Sequence, residues 1–389
     1  MLINVDPAGA VALTQELVRF NTTNPPGDET PVIRMLEARL RADGFETVTV
    51  PYLDGENRSQ VVARLRGTGE RPGLLFSGHV DVVPPGNVPW TVDAFGGEIR
   101  NGRLYGRGSC DMKSGVAALV VAAGAIARSG IVLKGDLVVA ITADEERNCL
   151  GADELVKEPL FDDIGAALVA EPTAMSLYVA EKGAFWVEVT VYGKTAHGSM
   201  PQLGANAISA MAAFLSGWEQ LYRTDDPVHP ILGTPTLNMG VIQGGVKVNV
   251  VPDQCTIQLD MRTVPPLEHA ALRAALEGLL DQVCAARSGT RWEIRVLSDR
   301  PPVSCPADSA LAVAMASAVS DLGGIDPAPR GIPYCTEACV WVPVLGIPAV
   351  ICGPGSPGMA HQPDEFVEVA EVELAARVYT RVAAEFLGA

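Results

Sequence analysis

Five histidines occur in the chain, and two of them, His79 and His361, stand beside carboxylates at the edges of expected loops. In Gly78-His79-Val80-Asp81 the histidine and aspartate are two residues apart, so on an extended chain they project to one side. Asp81 could accept a hydrogen bond from one ring nitrogen while the other binds a metal ion. A histidine simply satisfied by its neighbour at a strand end would have the same spacing. Residues 106–115, Gly-Arg-Gly-Ser-Cys-Asp-Met-Lys-Ser-Gly, form a glycine-punctuated loop that brings Asp111 to the start of an apolar helix. No Gly-Lys-Ser/Thr or Gly-x-Gly-x-x-Gly completes a phosphate loop there. Asp111 is therefore a ligand candidate or a helix cap.

Glu145 and Glu146 follow an apolar run, Leu137 to Thr142, and Glu171-Pro172 follows another, Ala166 to Ala170. Adjacent glutamates can divide labour, one coordinating a metal and the other taking a proton from water. Loop-edge carboxylates also commonly sit in solvent with no task. His361 lies in Ala-His-Gln-Pro-Asp-Glu after the turn-rich Gly353 to Gly358. Taken singly, each residue is ambiguous. Together, His79, Asp111, Glu145, Glu146 and Glu171 all fall at or just beyond the ends of expected strands, where an open α/β sheet has its binding crevice. So many carboxylates in one crevice would repel unless cations lay among them, and two divalent ions bridged by one carboxylate would meet that need. Mixed imidazole and carboxylate donors favour zinc, with cobalt or manganese tolerated.

The elements that must position these residues read as follows. Helical spacing predicts helices over Pro7–Phe20, Thr30–Asp43 and Ser114–Ser129, with short apolar strands between. Strands interleaved with helices predict an α/β domain around a central sheet. After Glu171 the pattern changes. Phe185, Val187, Val189 and Val191 alternate with Trp186, Glu188 and Thr190, the mark of a sheet with one wet face. Helices at Gly204–Tyr222 and Pro266–Ala286 and strands near Thr236–Gln243, Gln254–Arg262 and Arg291–Leu297 complete a β-α-β-β-α-β order. This predicts a ferredoxin-like α+β domain at 179–297 inserted into a domain formed by 1–178 and 298–389. Helix Ser309–Leu322 and the apolar Ala349–Cys352 belong to the latter.

The chain has 389 residues, enough for two to three domains at ~100–200 residues each. Lys and Arg number 29 against 46 Asp and Glu, a formal charge of -17 that lacks the basic footprint nucleic acid or anionic lipid requires. No nucleic-acid or membrane partner is expected. The nearly apolar run Gly115–Ala127 is shorter than the ~18 residues of a membrane span. The eight cysteines include no Cys-x-x-Cys pair, so reduced, mostly buried thiols and a cytoplasmic setting are expected. The N-terminal segment has no basic and apolar leader pattern. A thiol hydrolase using Cys110 with His79 would leave four carboxylate and histidine candidates without work.

The ordered motifs resemble the family of dinuclear zinc metallohydrolases that includes acetylornithine deacetylase, succinyl-diaminopimelate desuccinylase and aminoacylase. They are Asn-Thr-Thr-Asn-Pro-Pro at 21–26, His79-x-Asp81, Gly-Arg-Gly-x-x-Asp-Met-Lys, Asp-Glu-Glu, Glu171-Pro172, the Lys-Thr-Ala-His of His197, and Ala-His-Gln-Pro-Asp-Glu. The resemblance implies a catalytic domain interrupted by a lid through which the protein forms a homodimer. It implies that Asp111 bridges two ions, with His79 and Glu171 on one and Glu146 and His361 on the other, and that the Asp111 peptide is cis. Glu145 would be the general base acting on a metal-bridged hydroxide, and Asp81 would hold the tautomer of His79. His197 would stabilise the oxyanion in the partner subunit's site. Asn249, Arg262 and Gly353 would contact substrate, Arg262 clamping its carboxylate through a bidentate fork; alternatively Arg262 ties down the sheet edge. Ser114 stands where the family commonly has glycine. Thr336-Glu337-Ala338 looks more like the acetylornithine deacetylase branch, and Glu337 would pair with a substrate amine or orient the Gly353–Gly355 loop. The implied reaction is hydrolysis of the amide of an N-acyl amino acid. A carboxypeptidase or dipeptidase with the same site is the alternative.

Overall fold

The computed structural model describes residues 3–53 and 57–388, and the chain divides into two compact units. The first comprises Met1–Val179, Cys305–Arg330 and Thr336–Ala389, the second Ala180–Ser304 and Gly331–Cys335.

In the first unit the sheet order is Glu46–Pro51, Ser59–Leu65, Leu137–Thr142, Gly73–His79, Ile164–Val169, Ala349–Ile351 and then Tyr178, where the chain leaves for the second unit. The first two pairings are antiparallel and the next three parallel, which makes the mixed sheet expected of an α/β domain. Gly73–His79 and Leu137–Thr142 are buried at every position, as strands covered on both faces must be. Helices Pro7–Val18, Ser114–Arg128, Ala310–Gly323 and Val369–Phe386 share their core.

Helix Ser114–Arg128 is buried from Ser114 through Ile126. With the turn before it, the apolar segment extends over Ser109–Arg128, 20 residues, longer than the run read from the sequence. Its length and composition suffice for a span, but 89% of the apolar window is buried inside the protein, so in this fold it is a core helix. Gly115 lets it approach the strand ends closely, since a Cβ there would lie 2.2 Å from the Ala170 carbonyl oxygen, next to Glu171. The helix Val369–Phe386 was not among the expected elements, although Val372, Ala375, Ala376, Tyr379, Val382 and Ala383 form its buried stripe.

The second unit is a four-stranded antiparallel sheet in the order Thr236–Gly244, Gln254–Thr263, Gly183–Tyr192, Arg291–Arg300. Phe185, Val187, Val189 and Val191 pack with Met211, Phe214 and Trp218 of helix Ala207–Leu221 and Leu276 and Leu280 of His269–Ala285. The expected return to the first domain at 298 falls inside the last strand, which runs to Arg300, and the first unit resumes at Cys305. A register shift between Val296 and Ser298 breaks the period-two pattern there and hides the strand's continuation.

Candidate metal centre and active site

Three parallel strands set the site. His79 ends Gly73–His79 in register with Thr142, after which come Asp144, Glu145 and Glu146; Glu171 lies two residues past Val169. All emerge at the carboxyl ends of neighbouring parallel strands. Asp111 comes from the irregular turn Ser109–Lys113, where the Asp111–Met112 peptide is cis as the resemblance implied. His361 has φ +64, a left-handed conformation uncommon outside glycine.

The structure brings the five expected ligands together. His79 Nε2 is 3.3 Å from Asp111 Oδ1 and 3.6 Å from Glu171 Oε1. His361 Nε2 is 3.4 Å from Asp111 Oδ2 and 3.1 Å from Glu146 Oε2. Within each triad, His79, Asp111, Glu171 and Asp111, Glu146, His361, the donor atoms lie within 4.8 Å of one another. Four donors placed tetrahedrally about 2.0–2.2 Å from zinc would be separated by roughly 3.3–3.6 Å. The spacings therefore fit edges of two coordination shells that share Asp111, one through each oxygen. His79 and Glu171 are buried, whereas the His361 side chain is half exposed.

Electrostatics agree with a site built for cations. Burial, reinforced by Asp111, pushes the Glu171 carboxyl well above the usual range. Burial, together with Glu146, Asp111 and Asp81, does the same to Glu145 despite the nearby imidazole of His79. Against its own burial, Asp111 is held low by hydrogen bonds from His361 and His79. His361 in turn is raised to about 10 by Asp111 and Glu146.

Glu145 Oε2 lies 3.8 Å from His79 Nε2, beside the triads but not within either. Asp81 meets the Nδ1 side of His79 chiefly through its main-chain oxygen. His79 Nδ1 is 3.0 Å from the main-chain oxygen of Asp81 and 3.5 Å from its Oδ1, so the carbonyl is the nearer acceptor. The Asp81 carboxylate instead accepts the backbone N–H groups of Glu145 and Glu146, at 3.1 and 3.2 Å. It thus ties the histidine strand to the paired glutamates.

Two supporting residues were missed by sequence reasoning although both lie in the quoted motifs. Glu365 Oε1 accepts the backbone N–H of Cys110 and Asp111, at 2.9 and 3.0 Å, and its other oxygen pairs with Arg107. Arg107 also donates to the His361 carbonyl at 3.3 Å. This buried ion pair joins the Asp111 turn to the His361 loop.

Glu337 occupies neither of its expected positions. It has no accessible surface, and its Oε2 accepts from Ser77 Oγ at 2.6 Å, behind the histidine strand. The Gly353–Gly355 loop is held by Thr173 and Glu371: Gly353 N–H donates to Thr173 Oγ1 at 3.0 Å and Gly355 N–H to Glu371 at 2.7 Å. Gly353 is buried against Ala170 and Glu171, and a Cβ there would lie 2.2 and 2.5 Å from their carbonyl oxygens. Cys110 is buried, its thiol pushed well up by that burial and by Glu365, and it donates to the Ser356 carbonyl at 3.3 Å. That environment opposes thiolate formation and disfavours a thiol nucleophile.

His197, Asn249 and Arg262 belong to the second unit. His197 pairs with Val250 as an isolated bridge and Gly198 N–H donates to Asn249 O at 2.8 Å, so His197 and Asn249 are neighbours. His197 Nδ1 is 2.7 Å from Ser199 Oγ and accepts the backbone N–H of Ser199 at 3.2 Å. Arg262 Nε is 2.9 Å from Asp260 Oδ1, and its guanidinium lies 5.4 Å from the Trp186 ring centre. Its strand is paired on both sides.

Comparison with known proteins follows the same lines. The model of peptidase family M20/M25/M40 matches residues 75–385. The chain is 34% identical to an acetylornithine deacetylase of Myxococcus xanthus over 98% of both chains. It is 29% identical, over 92% of both, to a protein of Staphylococcus aureus (strain MRSA252) described as a probable succinyl-diaminopimelate desuccinylase. Its fold is that of a dinuclear metal binding peptidase of Bacillus subtilis, with a TM-score of 0.74 at 16% identity over 98% of each chain. The chain belongs to peptidase family M20/M25/M40 and is a metal-dependent hydrolase of that family.

Proposed function

We propose that this protein hydrolyses the amide bond of an N-acyl amino acid, in the manner of an acetylornithine deacetylase. The observation that carries this reading is the single carboxylate of Asp111 facing two histidine–carboxylate pairs, with Glu145 alongside. The similarity to a deacetylase over nearly the whole chain supports the substrate class.

His79, Asp111 and Glu171 would hold one divalent ion and Asp111, Glu146 and His361 the other, most simply Zn2+, with Co2+ or Mn2+ tolerated. When bound, such a pair polarises the amide carbonyl and lowers the pKa of a shared water from 15.7 toward ~7. Glu145 takes the proton of the attacking water at its carboxylate and gives it to the leaving amine. Asp81 keeps Glu145 and Glu146 in place through their backbone amides. Arg262 clamps the substrate carboxylate, Asn249 binds the substrate, and His197 supplies a hydrogen bond to the oxyanion from the partner subunit of a homodimer formed through the second unit. The thiols suit a cytoplasmic protein.

The decisive experiment loads the protein with Zn2+, Co2+ or Mn2+ and compares turnover of N-acetyl amino acids, N-succinyl amino acids and dipeptides. Preference for N-acetyl substrates is expected. Preference for dipeptides would replace this reading with a dipeptidase or carboxypeptidase, and activity unchanged after complete chelation would overturn the metal assignment.

A further inference from the structure

The Asn-Thr-Thr-Asn-Pro-Pro segment enters neither the ligand set nor the proton path, yet its second asparagine lies just beneath both. Asn24 is buried, and its Nδ2 donates to Asp81 Oδ2 at 2.8 Å and to Asp144 Oδ1 at 2.7 Å. Two carboxylate oxygens can face only the NH2 end of the amide, so these partners settle its orientation. Asp81 receives the N–H groups of Glu145 and Glu146. Asp144 directly precedes Glu145, in a left-handed conformation with φ +61 that, glycine aside, aspartate and asparagine adopt more readily than other residues. Arg58 at 3.0 Å and the Tyr52 hydroxyl at 2.6 Å hold its carboxylate from the other sides.

The segment carrying Asn24 is itself registered to the Asp81 loop. Asn24 N–H donates to Val82 O at 2.8 Å, and Thr22 Oγ1 donates to Val80 O at 2.5 Å. The Glu145–Glu146 turn is thus gripped by two carboxylates, Asp81 on its amides and Asp144 at its start, and one amide group joins the grips. Two adjacent buried carboxylates repel. A neutral group with two N–H bonds satisfies both, whereas an aspartate at 24 would add a third negative charge and no donor.

We propose that Asn24 is a positioning residue: by locking Asp81 to Asp144 it sets the places of Glu145 and Glu146 without touching substrate or ion. The inference rests on the roles assigned above to those two glutamates. Its test measures Asn24→Ala and Asn24→Gln in three ways: Zn2+ affinity by titration against a competing chelator, denaturant midpoint, and kcat and KM on the N-acetyl amino acid that the unaltered protein turns over best. Outer partners of metal ligands typically contribute 10–100-fold to affinity or activity. Asn24→Ala should bind one of its two Zn2+ ions about 10–100-fold more weakly and lose kcat by a similar factor. KM should stay within about twofold, and the midpoint should fall only modestly because Tyr52, Arg58 and the Glu145 and Glu146 amides still hold the two carboxylates, with Asn24→Gln regaining part of the loss in affinity and kcat. Unchanged Zn2+ affinity and kcat would overturn the proposal. So would losses that merely track a lowered midpoint, with Gln no better than Ala. If the unaltered protein hydrolyses no N-acyl amino acid, the functional reading falls, and the Zn2+ titration still decides on Asn24.

Discussion

His79 and His361 face opposite oxygens of one carboxylate: His79 Nε2 is 3.3 Å from Asp111 Oδ1 and His361 Nε2 is 3.4 Å from Asp111 Oδ2. The two ion positions therefore share one residue while each keeps a histidine of its own. Asp111→Ala should abolish binding of both ions, whereas His361→Ala should remove only the ion it shares with Glu146. Elemental analysis of the purified variants, with folding checked by circular dichroism, distinguishes the two. Retention of both ions by Asp111→Ala would rule out the bridge.

Loading should depend on pH with a definite sign. Asp111 and Glu146 raise the His361 imidazole to about 10 in the ion-free site, so at neutral pH it holds a proton that an entering ion must displace. Zn2+ affinity should therefore rise as pH rises from 6 to 9, and binding should release protons. Calorimetry in buffers of different ionisation enthalpy measures that release. Affinity that is flat with pH would mean the histidines bind as already neutral ligands.

Glu145 is next to the ligands without belonging to either triad. Glu145→Gln keeps the shape of the side chain and removes its ability to take a proton. Turnover should fall by at least ~10², the lower end of general acid–base contributions, with metal content unchanged. Turnover within threefold of the unaltered protein would assign the base elsewhere.

Three ligands were legible because each follows an apolar run whose end sets its place, His79 after Gly73–Ser77, Glu146 after Leu137–Thr142 and Glu171 after Ala166–Ala170, whereas Asp111 and His361 were marked only by their motifs. Alternation from Phe185 to Val191 likewise revealed the second unit. What holds the ligands was not legible. Glu365 reads as an exposed acid in Pro-Asp-Glu, and its burial against Arg107 and the Asp111 turn depends on contacts more than 250 residues apart in sequence. Asn24 lies in the quoted motif at 21–26, but it meets Asp81 and Asp144 from 57 and 120 residues away, so the motif does not show what it holds. Glu337 failed for the converse reason. Its motif neighbours suggested substrate contact, whereas the fold buries it against Ser77.

Arg262 forms its ion pair with Asp260, two residues earlier on the same strand, and Trp186 Nε1 donates to that Asp260 at 2.6 Å. Asp260 accepts from Nε and, at 3.4 Å, from Nη2, and the Arg262 side chain is about one-quarter exposed, so the Nη1 side of its donor fork is the part a carboxylate would take. Hydrogen bonds to charged groups contribute about 1.5–3 kcal/mol, so Arg262→Ala should raise KM by roughly 10–100-fold with a smaller change in kcat. Arg262→Lys should recover little, since a lysine cannot reproduce the fork. Steady-state kinetics on a substrate with a free carboxylate checks this. An unmoved KM would leave Arg262 a structural partner of Asp260 and Trp186.

Gly353 tests how tightly the metal centre is coupled to the packing beneath it. A methyl group there would meet the carbonyl oxygens of Ala170 and Glu171 at 2.2 and 2.5 Å, both backbone atoms that cannot rotate away. Gly353→Ala must therefore push apart the Gly353 loop and the end of the strand that carries Glu171. Overpacking of this kind typically costs about 1–3 kcal/mol. The displacement reaches Glu171 before it reaches Glu146 or His361. Denaturant unfolding should show that loss, and Zn2+ titration should show weakened binding at the position shared by His79, Asp111 and Glu171, with the other position less affected. Equal weakening at both would mean that the strain spreads through Asp111.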